Sequence, residues 1–483
     1  MGNNLIAFVL LPIIFALLAI LARKGAAILS VMAATLLSGF AGYLYFVKPL
    51  DGMLFGNFGP ELMLDSFSLL LLITANLVAA LVFVYSSSYA KKFNRPDLFF
   101  GLFLVLLAGI NGTLLAADFV WLYIFLEIAA VSAYILVAFE GGRRQLQASF
   151  KYFILGEIAS IFILVGAGLV YKMSGSFNFF AAASAIPENI TLSKGLAIAL
   201  FIAGFGTKAA IMPFHAWLPD AHSAAPSPVS AILSGVIIKV LGVYCLARVL
   251  FNIVGIDQGI AFVILVLSAI SIIIAGILSL GQNDIKRIMA YSSISQVGYI
   301  ALGLFLMVPS GLIGAIFHIF NHAFMKSLLF LNAGAIETQT GKRNLAELGG
   351  IREKMPVSAA TSLVGSFAIS GLPPFNGFWS KVMIILACVQ TGNLLFALIA
   401  VIGSLLTMGA YFKMQKNVFF GELKSSLSNI KEAPLAMCFS MTVLAVICLA
   451  IGLAFPMVLK MLIKPAAAAL AGGKQYFMMV KGG

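Results

Sequence analysis

The sequence predicts an all-α polytopic membrane protein of about fourteen transmembrane helices. Three observations carry that prediction. Hydrophobic residues make up 62% of the 483 positions. Charged residues make up only 10%, where a water-soluble domain carries about 25%. Windows of roughly 20 apolar residues, enough to cross a hydrocarbon core about 30 Å thick, recur along the whole chain, and mean hydropathy is +1.08. Soluble enzymes, disordered chains and nucleic-acid binders are excluded. The net charge of +13 reads as Lys and Arg gathered at one membrane face.

The expected spans are 4–22, 26–47, 66–87, 98–116, 119–139, 148–171, 195–214, 227–250, 259–280, 286–307, 310–335, 357–390, 394–414 and 434–462. The start, Met-Gly-Asn-Asn, has no basic n-region, and no small-residue cleavage site follows residues 5–21. The first span is therefore expected to be uncleaved. The twelfth is too long for one straight helix and holds Gly371, Pro373 and Pro374, so it should be broken. The four cysteines (Cys245, Cys388, Cys438, Cys448) all lie in apolar runs, and no two form C-x-x-C. Neither cysteine ligation of a metal or cluster nor a disulfide framework is expected. No resident cofactor is expected in this chain.

Cation bias sets orientation. Loops after odd-numbered spans hold seventeen of the 30 Lys and Arg, among them Arg23, Arg143, Lys286, Arg343 and Lys413. The other side holds eight: Lys48, Lys172, Lys194, Arg248, Lys460, Lys464, Lys474 and Lys481. Both termini are therefore expected outside the cell membrane, with the odd-numbered loops cytoplasmic.

Five lysines remain inside spans: Lys151, Lys208, Lys239, Lys326 and Lys381. An ionisable group in hydrocarbon costs several kcal/mol, faces the bundle interior by default and marks an ion or proton route. Burial of a lysine disfavours its charged form, which lets it gain and lose a proton. The bland alternatives are snorkelling to the interface or a static ion pair, and they fit Lys151 and Lys326, near span ends, better than the other three. Glu127, in Trp121-Leu-Tyr-Ile-Phe-Leu-Glu127, sits near mid-depth at 1.5 Å per residue. A carboxylate there can pair with a buried lysine, raising its proton affinity on approach and lowering it on withdrawal. Glu157 suits either that role or a hydrogen bond to a neighbouring helix.

His318 and His322 are spaced i, i+4 and share one helix face, which Lys326 continues. Metal binding, a buried hydrogen bond and a proton relay all fit a histidine pair. The relay is preferred, because no Glu completes H-E-x-x-H and imidazole passes protons near neutral pH. Two interrupted segments stand out: Gly206-Thr-Lys208-Ala-Ala-Ile-Met-Pro213-Phe-His215-Ala-Trp217-Leu-Pro219-Asp220 and Gly371-Leu-Pro373-Pro374-Phe375-Asn-Gly-Phe-Trp379-Ser-Lys381. Pro-Phe followed by Trp recurs about 161 residues apart, each time with a lysine nearby, although Lys208 precedes its proline and Lys381 follows. Paired broken spans point to a duplicated transporter fold with midplane sites. The repeats would be 98–250 and 259–414, five helices each and therefore inverted, flanked by helices 1–3 in 1–97 and a last helix with a short tail in 434–483. His215, Asp220 and His222 suit an intake funnel or a cap on the break equally. Asp284, Lys286 and Arg287 read as a helix start and orientation signal.

These segments resemble the antiporter-like subunit family of respiratory complex I, which includes Mrp cation/proton antiporters and membrane-bound hydrogenases. The likeness runs over roughly residues 60–420. Its strongest stretches are Phe214-His-Ala-Trp-Leu-Pro-Asp-Ala-His222, Ala225-Pro-Ser-Pro-Val-Ser230, Asp284-Ile-Lys-Arg287 with Ala290-Tyr-Ser-Ser-Ile-Ser-Gln-Val-Gly-Tyr299, and residues 318–334. The resemblance implies fourteen core helices in two inverted five-helix repeats. It also implies that Glu127 is the fifth-helix glutamate, Lys208 the lysine at the seventh-helix break and Lys239 the eighth-helix lysine. His318 and His322 would be the eleventh-helix bridge, Lys381 the twelfth-helix lysine and Lys151 the sixth-helix lysine. The implied function is a proton-translocating subunit of a multisubunit redox-driven pump. Partners would be other membrane subunits and a peripheral dehydrogenase or hydrogenase arm with iron–sulfur centres, which would supply the redox chemistry. An Mrp-type Na⁺(K⁺)/H⁺ antiporter subunit is the alternative. A mere docking scaffold has no use for five intramembrane lysines, and a carrier of organic solutes would gather its polar residues in one pocket. Two departures stand against the complex I pumps. The middle pump carries glutamate at the position of Lys381, and the distal pump carries a lateral arm, for which residues 463–483 are too few. Asn332-Ala-Gly-Ala-Ile-Glu337 with Leu345-Ala-Glu-Leu-Gly-Gly350 looks nearest to hydrogenase-type or ferredoxin-linked complexes.

Overall fold

The structure, a computed structural model, describes residues 2–47, 54–57 and 61–481. Two helices open the chain, α1 (Ala7–Ala22) and α2 (Ala26–Val47). A hairpin follows, β1 (Leu54–Asn57) antiparallel to β2 (Glu61–Leu64), with Leu54 opposite Leu64 and Asn57 opposite Glu61. The hydropathy pattern predicts no strand there. Then come α3 (Ser66–Tyr89), α4 (Pro96–Leu115), α5 (Phe119–Val137), α6 (Arg143–Ser174), the short α7 (Phe179–Ala185), α8 (Leu192–Ala209) and α9 (Leu218–Ala224). The helix α10 runs Ser227–Val254. It is followed by α11 (Gln258–Gly281), α12 (Ile285–Phe305), α13 (Pro309–Thr340), α14 (Pro356–Ser370), α15 (Asn376–Gln390), α16 (Leu394–Phe419) and α17 (Leu435–Leu453). The chain stays helical beyond, through α18 (Lys464–Ala471) and α19 (Gly473–Lys481).

Among the described residues twelve helical stretches are long and apolar enough to cross a membrane, against fourteen expected. The difference lies in two places. Asn4–Val47 is one stretch by length, but the chain reverses at Arg23–Gly25 within it. Phe8 and Phe40 would be about 48 Å apart on a straight helix, yet their rings stack at 5.0 Å. The expected twelfth span is two halves, α14 and α15, of 15 residues each, and each alone is too short to cross.

Local chemistry sets the boundaries. Asp65, Asp118, Asp257 and Asp284 each accept a backbone N–H at the start of α3, α5, α11 and α12, and Thr191 does so for α8. Proline opens α4, α13 and α14, where its missing N–H costs nothing. Left-handed Gly175 and Gly341 close α6 and α13. The apolar core of α10 is wholly buried and those of α12 and α13 nearly so, whereas α1, α2, α6 and α16 bury less than half of theirs. The second group carries the exposed apolar side chains that face lipid, such as Leu21, Phe46, Phe150 and Leu405. The central three carry the polar ones.

Three cations counted as loop residues are buried instead. Arg248 lies inside α10, ion-paired to Asp65 at 2.8 Å. Lys194 donates to the carbonyls of Pro187 and Glu188. Lys286 pairs with Glu337 at 2.7 Å. Arg248 and Lys286 stand at the ends of the expected spans 227–250 and 286–307 and Lys194 just before 195–214, where partners from distant segments take them in. Lys48 and the Lys481 side chain lie outside the described residues. The segment expected to be a short tail is docked helix: Asn252 donates to the carbonyls of Ala469 and Gly473.

Close helix contacts use glycine. A Cβ on Gly109 of α4 would meet the Ala129 backbone nitrogen at 2.5 Å, while one on Gly39 of α2 would meet nothing within 4 Å. Gly109→Val should therefore cost roughly 1–3 kcal/mol of packing and lower the melting temperature in detergent by several degrees, with Gly39→Val unchanged. Equal melting of the two variants would contradict the packing assigned to α4 and α5.

Candidate functional site

Two helix breaks frame the site, and their backbones match. In the first, Ala210 is left-handed (φ 58°), and in the second Gly371 is (φ 82°). Each stands three residues before a cis proline, Pro213 and Pro374. The hydrogen bonds correspond as well. Ile211 N–H donates to Gly206 C=O and Phe214 N–H to Ile211 C=O; Leu372 N–H donates to Phe367 C=O and Phe375 N–H to Leu372 C=O. Both are helix stops that reach back five residues to orphan carbonyls.

At the first break, Lys208 sits in the last turn of α8. Its Nζ lies 3.7 Å from Glu127 Oε1 of α5, and the two side chains are 3% and 18% exposed. Lys208 Nζ also donates to Tyr134 Oη at 3.4 Å. Ser160 of α6 donates to Glu127 Oε1. Glu157, one turn earlier on α6, faces Glu127, Lys208 and Tyr134. Tyr134 packs on Tyr152 (ring centroids 4.5 Å apart), and Tyr152 stacks on Trp217 (4.1 Å) just past the break.

Lys239 lies on α10 within a π-helical stretch, Leu233–Tyr244. Its ammonium donates to the Ser234 carbonyl of its own helix. Ser234 Oγ meets Ser293 Oγ of α12 at 2.8 Å. His322 on α13 is fully buried, both ring nitrogens lack a protein partner, and Lys239, Lys326 and Lys381 are the cations facing it. His318, one turn back at 5.9 Å between ring centroids, hydrogen-bonds Ser380 Oγ through Nδ1 at 2.9 Å and Gln296 Oε1 through Nε2 at 3.2 Å. The next residue, Lys381, donates to the Ile369 carbonyl at 2.8 Å and lies 4.9 Å over the Tyr299 ring. Lys326 donates to Met289 C=O, Ser292 Oγ and Tyr411 Oη at 2.8, 2.9 and 3.0 Å. No group of three or more His, Cys, Asp or Glu side chains among the described residues is arranged to hold a metal.

The structure thus brings Glu127 to Lys208, and Lys239, His322, His318 and Lys381 to one another. Among the described residues no side-chain contact joins Lys208 to Lys239; α8 and α10 meet there at Ala209 and Gly242, whose missing Cβ would lie 2.4 Å from the Ala209 backbone. Lys151 stands apart. Its side chain is 44% exposed and ion-paired to Asp220 at 2.8 Å, on the outward face of α6 between buried Ala148 and Tyr152. Asp220 also binds Arg287 at 3.1 Å, so it ties α6 to α12. His222 is fully buried and stacked on Phe330, 4.6 Å between ring centroids. Tyr134, Ser160, Gln296, Ser380 and Tyr299 were not singled out from sequence. Tyr134 had a signal, two turns from Glu127 on the same face, but Ser160 had none.

Burial raises the Asp220 carboxyl, but Lys151 and Arg287 outweigh it and hold the group below its ordinary value. The stability these pairs give is therefore present above the ordinary carboxylate value of about 3.9 and is lost as pH falls through the lower folded one. Asp220→Asn should melt below the parent near neutral pH, and the gap should close near pH 3. A gap of constant size would contradict the assignment.

Residues 116–407 match the family described as NADH:quinone oxidoreductase/Mrp antiporter, TM. NADH-quinone oxidoreductase subunit N of Desulforudis audaxviator is 36% identical over 367 residues, which are 75% of this chain and 73% of that one. A chain of the Mrp complex from Dietzia sp. DQ12-45-1b superposes with a TM-score of 0.92 at 25% identity, covering 99% of each chain. A chain of the membrane-bound sulfane sulfur reductase, an archaeal respiratory membrane complex, does so at 0.91 and 28%, covering 99% of this chain and 100% of that one. The matched breaks, the buried lysines and these likenesses agree: the chain belongs to the NADH:quinone oxidoreductase/Mrp antiporter family and is an antiporter-like membrane subunit of the complex I, Mrp and hydrogenase type.

Proposed function

We propose that this subunit moves protons across the membrane along Glu127, Lys208, Lys239, His322, His318 and Lys381, with Lys151 and Asp220 at the intake end. One observation carries the reading. Lys239, Lys326 and Lys381 are buried with two histidines, and their hydrogen bonds go to carbonyl and hydroxyl oxygens, with no carboxylate among the partners described. A permanent structural charge is better served by a carboxylate, while a transient one needs neutral partners that hold it only in passing.

Glu127 is the control element. At 3.7 Å and an effective dielectric of about 20, the pair is worth roughly 4 kcal/mol, and doubling the distance removes about half of that. Opening the pair releases the proton of Lys208 toward Lys239, from which His322 and His318 pass it to Lys381. The chain is read as two inverted five-helix repeats, 98–250 and 259–414, between helices 1–3 (1–97) and the C-terminal segment (434–483). The matched breaks support that division. The protein is placed in the plasma membrane with both termini outside; with Arg248, Lys194 and Lys286 set aside, the cation excess keeps the same sign. Its partners are other membrane subunits and, in a redox complex, a peripheral arm that performs the electron transfer. The sequence provides no cluster-binding cysteines of its own. The similarity to the Mrp complex favours a second reading, exchange of Na⁺ or K⁺ for H⁺ by the same residues.

In membrane vesicles holding the assembled complex, Lys208→Ala and Glu127→Ala should reduce proton translocation to background while part of the electron transfer survives. Full translocation in both variants overturns the roles. Translocation that stops when Na⁺ is withdrawn selects the exchange reading.

A further inference from the structure

Two adjoining clefts, about 440 and 430 Å³, open where the start of α14 meets the end of α16 and share Leu363, Gln415 and Phe420. Volumes of several hundred Å³ suit a small-molecule group. The residues around them have a definite order along α16. Leu398, Ile402, Leu405 and Phe412 are all exposed, and their spacing (i, i+4, i+7, i+14) places them on one helix face. That face is apolar and open on this chain, as a lipid-facing surface is, and Lys416 stands on it one turn beyond Phe412, at the helix end. Arg352 comes to the same place from the loop before α14, its guanidinium 5.5 Å over the Phe420 ring. Among the described residues, neither Arg352 nor Lys416 appears in a salt bridge. Lys413, also on the rim, is committed elsewhere: it donates to the carbonyls of Leu280 and Gln282 and to Asn283 Oδ1. The wall holds Gln415, whose amide donates to Ser362 and Ser366 of α14 at 2.8 and 2.7 Å and whose Oε1 has no partner among the described residues. Glu353 also lines the opening.

An apolar stripe ending in two free cations at the level where helices leave the membrane matches a phospholipid in outline. Acyl chains lie along the stripe, and a phosphate reaches the cations. Glu353 and Gln415 add acceptors beside them, which favours a head group that carries hydroxyl donors. We propose that this cleft is a binding site for an anionic phospholipid of the phosphatidylglycerol type, with its phosphate on Arg352 and Lys416. Basic clefts beside membrane helices hold anionic head groups through the same combination of charge and apolar surface. None of these residues lies on the proposed proton route, so this site stands or falls independently of it.

Phe420→Trp places a fluorophore in the cleft. The assembled complex carrying it is reconstituted with brominated phosphatidylglycerol or brominated phosphatidylcholine at equal mole fraction, and the fluorescence loss beyond that of the unsubstituted complex is compared. The expected result is a preference for the phosphatidylglycerol of roughly tenfold, falling to near unity when Arg352→Gln and Lys416→Gln are added. Equal quenching by both lipids overturns the site. So does a preference that survives the double substitution. Excess quenching by neither lipid also overturns it, since a neighbouring subunit then covers the cleft.

Discussion

An ammonium group held out of water must find oxygen atoms, and the architecture of this protein follows from where those oxygens come from. A mid-helix carbonyl already accepts one backbone N–H, so a second donor must share it, as Lys326 shares the Met289 carbonyl of α12. Near Lys208, Lys239 and Lys381 the backbone also departs from regularity. Lys239 takes the Ser234 carbonyl within a π-helical stretch. Lys381 takes the Ile369 carbonyl in the last turn of α14, just before the break. Lys208 occupies the last turn of α8, just before the other break. The sequence puts Lys208 ahead of its proline and Lys381 behind, which looks like a mismatch between the two halves. Physically the positions agree. Each lysine is associated with the C-terminal end of the half-helix that stops at the break, Lys381 by its bond to the Ile369 carbonyl and Lys208 by its place in the last turn, where the negative end of the helix dipole favours a cation.

Acidic side chains are placed by the opposite logic. Asp65, Asp220, Asp284 and Glu337 stand at helix ends and pair with Arg248, with Lys151 and Arg287, and with Lys286 and Arg343. Those pairs lock helices that carry the central groups: Arg248 is on α10 with Lys239, and Glu337 is on α13 with both histidines. Static charge is therefore neutralised at the ends, and the middle keeps lysines beside neutral oxygens. Only Glu127 and Glu157 break that division, and both lie at the first break. One end of the row thus has an electrostatic control that the other end lacks.

Much of this was legible in the sequence because cost makes it so. A lysine in hydrocarbon is too expensive to be accidental, so Lys208, Lys239 and Lys381 could be read directly, and the i, i+4 spacing placed His318 and His322 on one face. Proline and glycine marked both breaks. What stayed hidden depends on contacts between distant segments. Arg248 looked like a loop cation because its partner, Asp65, is 183 residues away. Ser160 is an ordinary helix serine until α6 is laid against α5. The π-helical stretch in α10 leaves no compositional mark, since a wider turn and an α-helical turn accept the same residues. The exposure of Lys151 was not legible either: α6 turns one face outward along its length, and Lys151 stands on that face between buried Ala148 and Tyr152.

The row also has an uneven texture, and that bears on how it conducts. Between His318 and Lys381 stands Tyr299, whose ring neighbours both, and His318 is bonded to Ser380, the residue before Lys381. Among the described residues, the close packing of Ala209 on Gly242 lies between Lys208 and Lys239, and the two ring nitrogens of His322 have no hydrogen-bond partner. Buried imidazoles need partners, and water is the group that both meets this need and carries a proton onward. On the proposed route, the step at those two points would be a matter of hydration, and between Lys208 and Lys239 it would depend on how closely α8 packs on α10. Gly242 permits that contact to be tight. A tight contact at rest that parts when Glu127 moves would join the electrostatic control at the first break to the hydration of the path beyond it, without any large rearrangement of the helices.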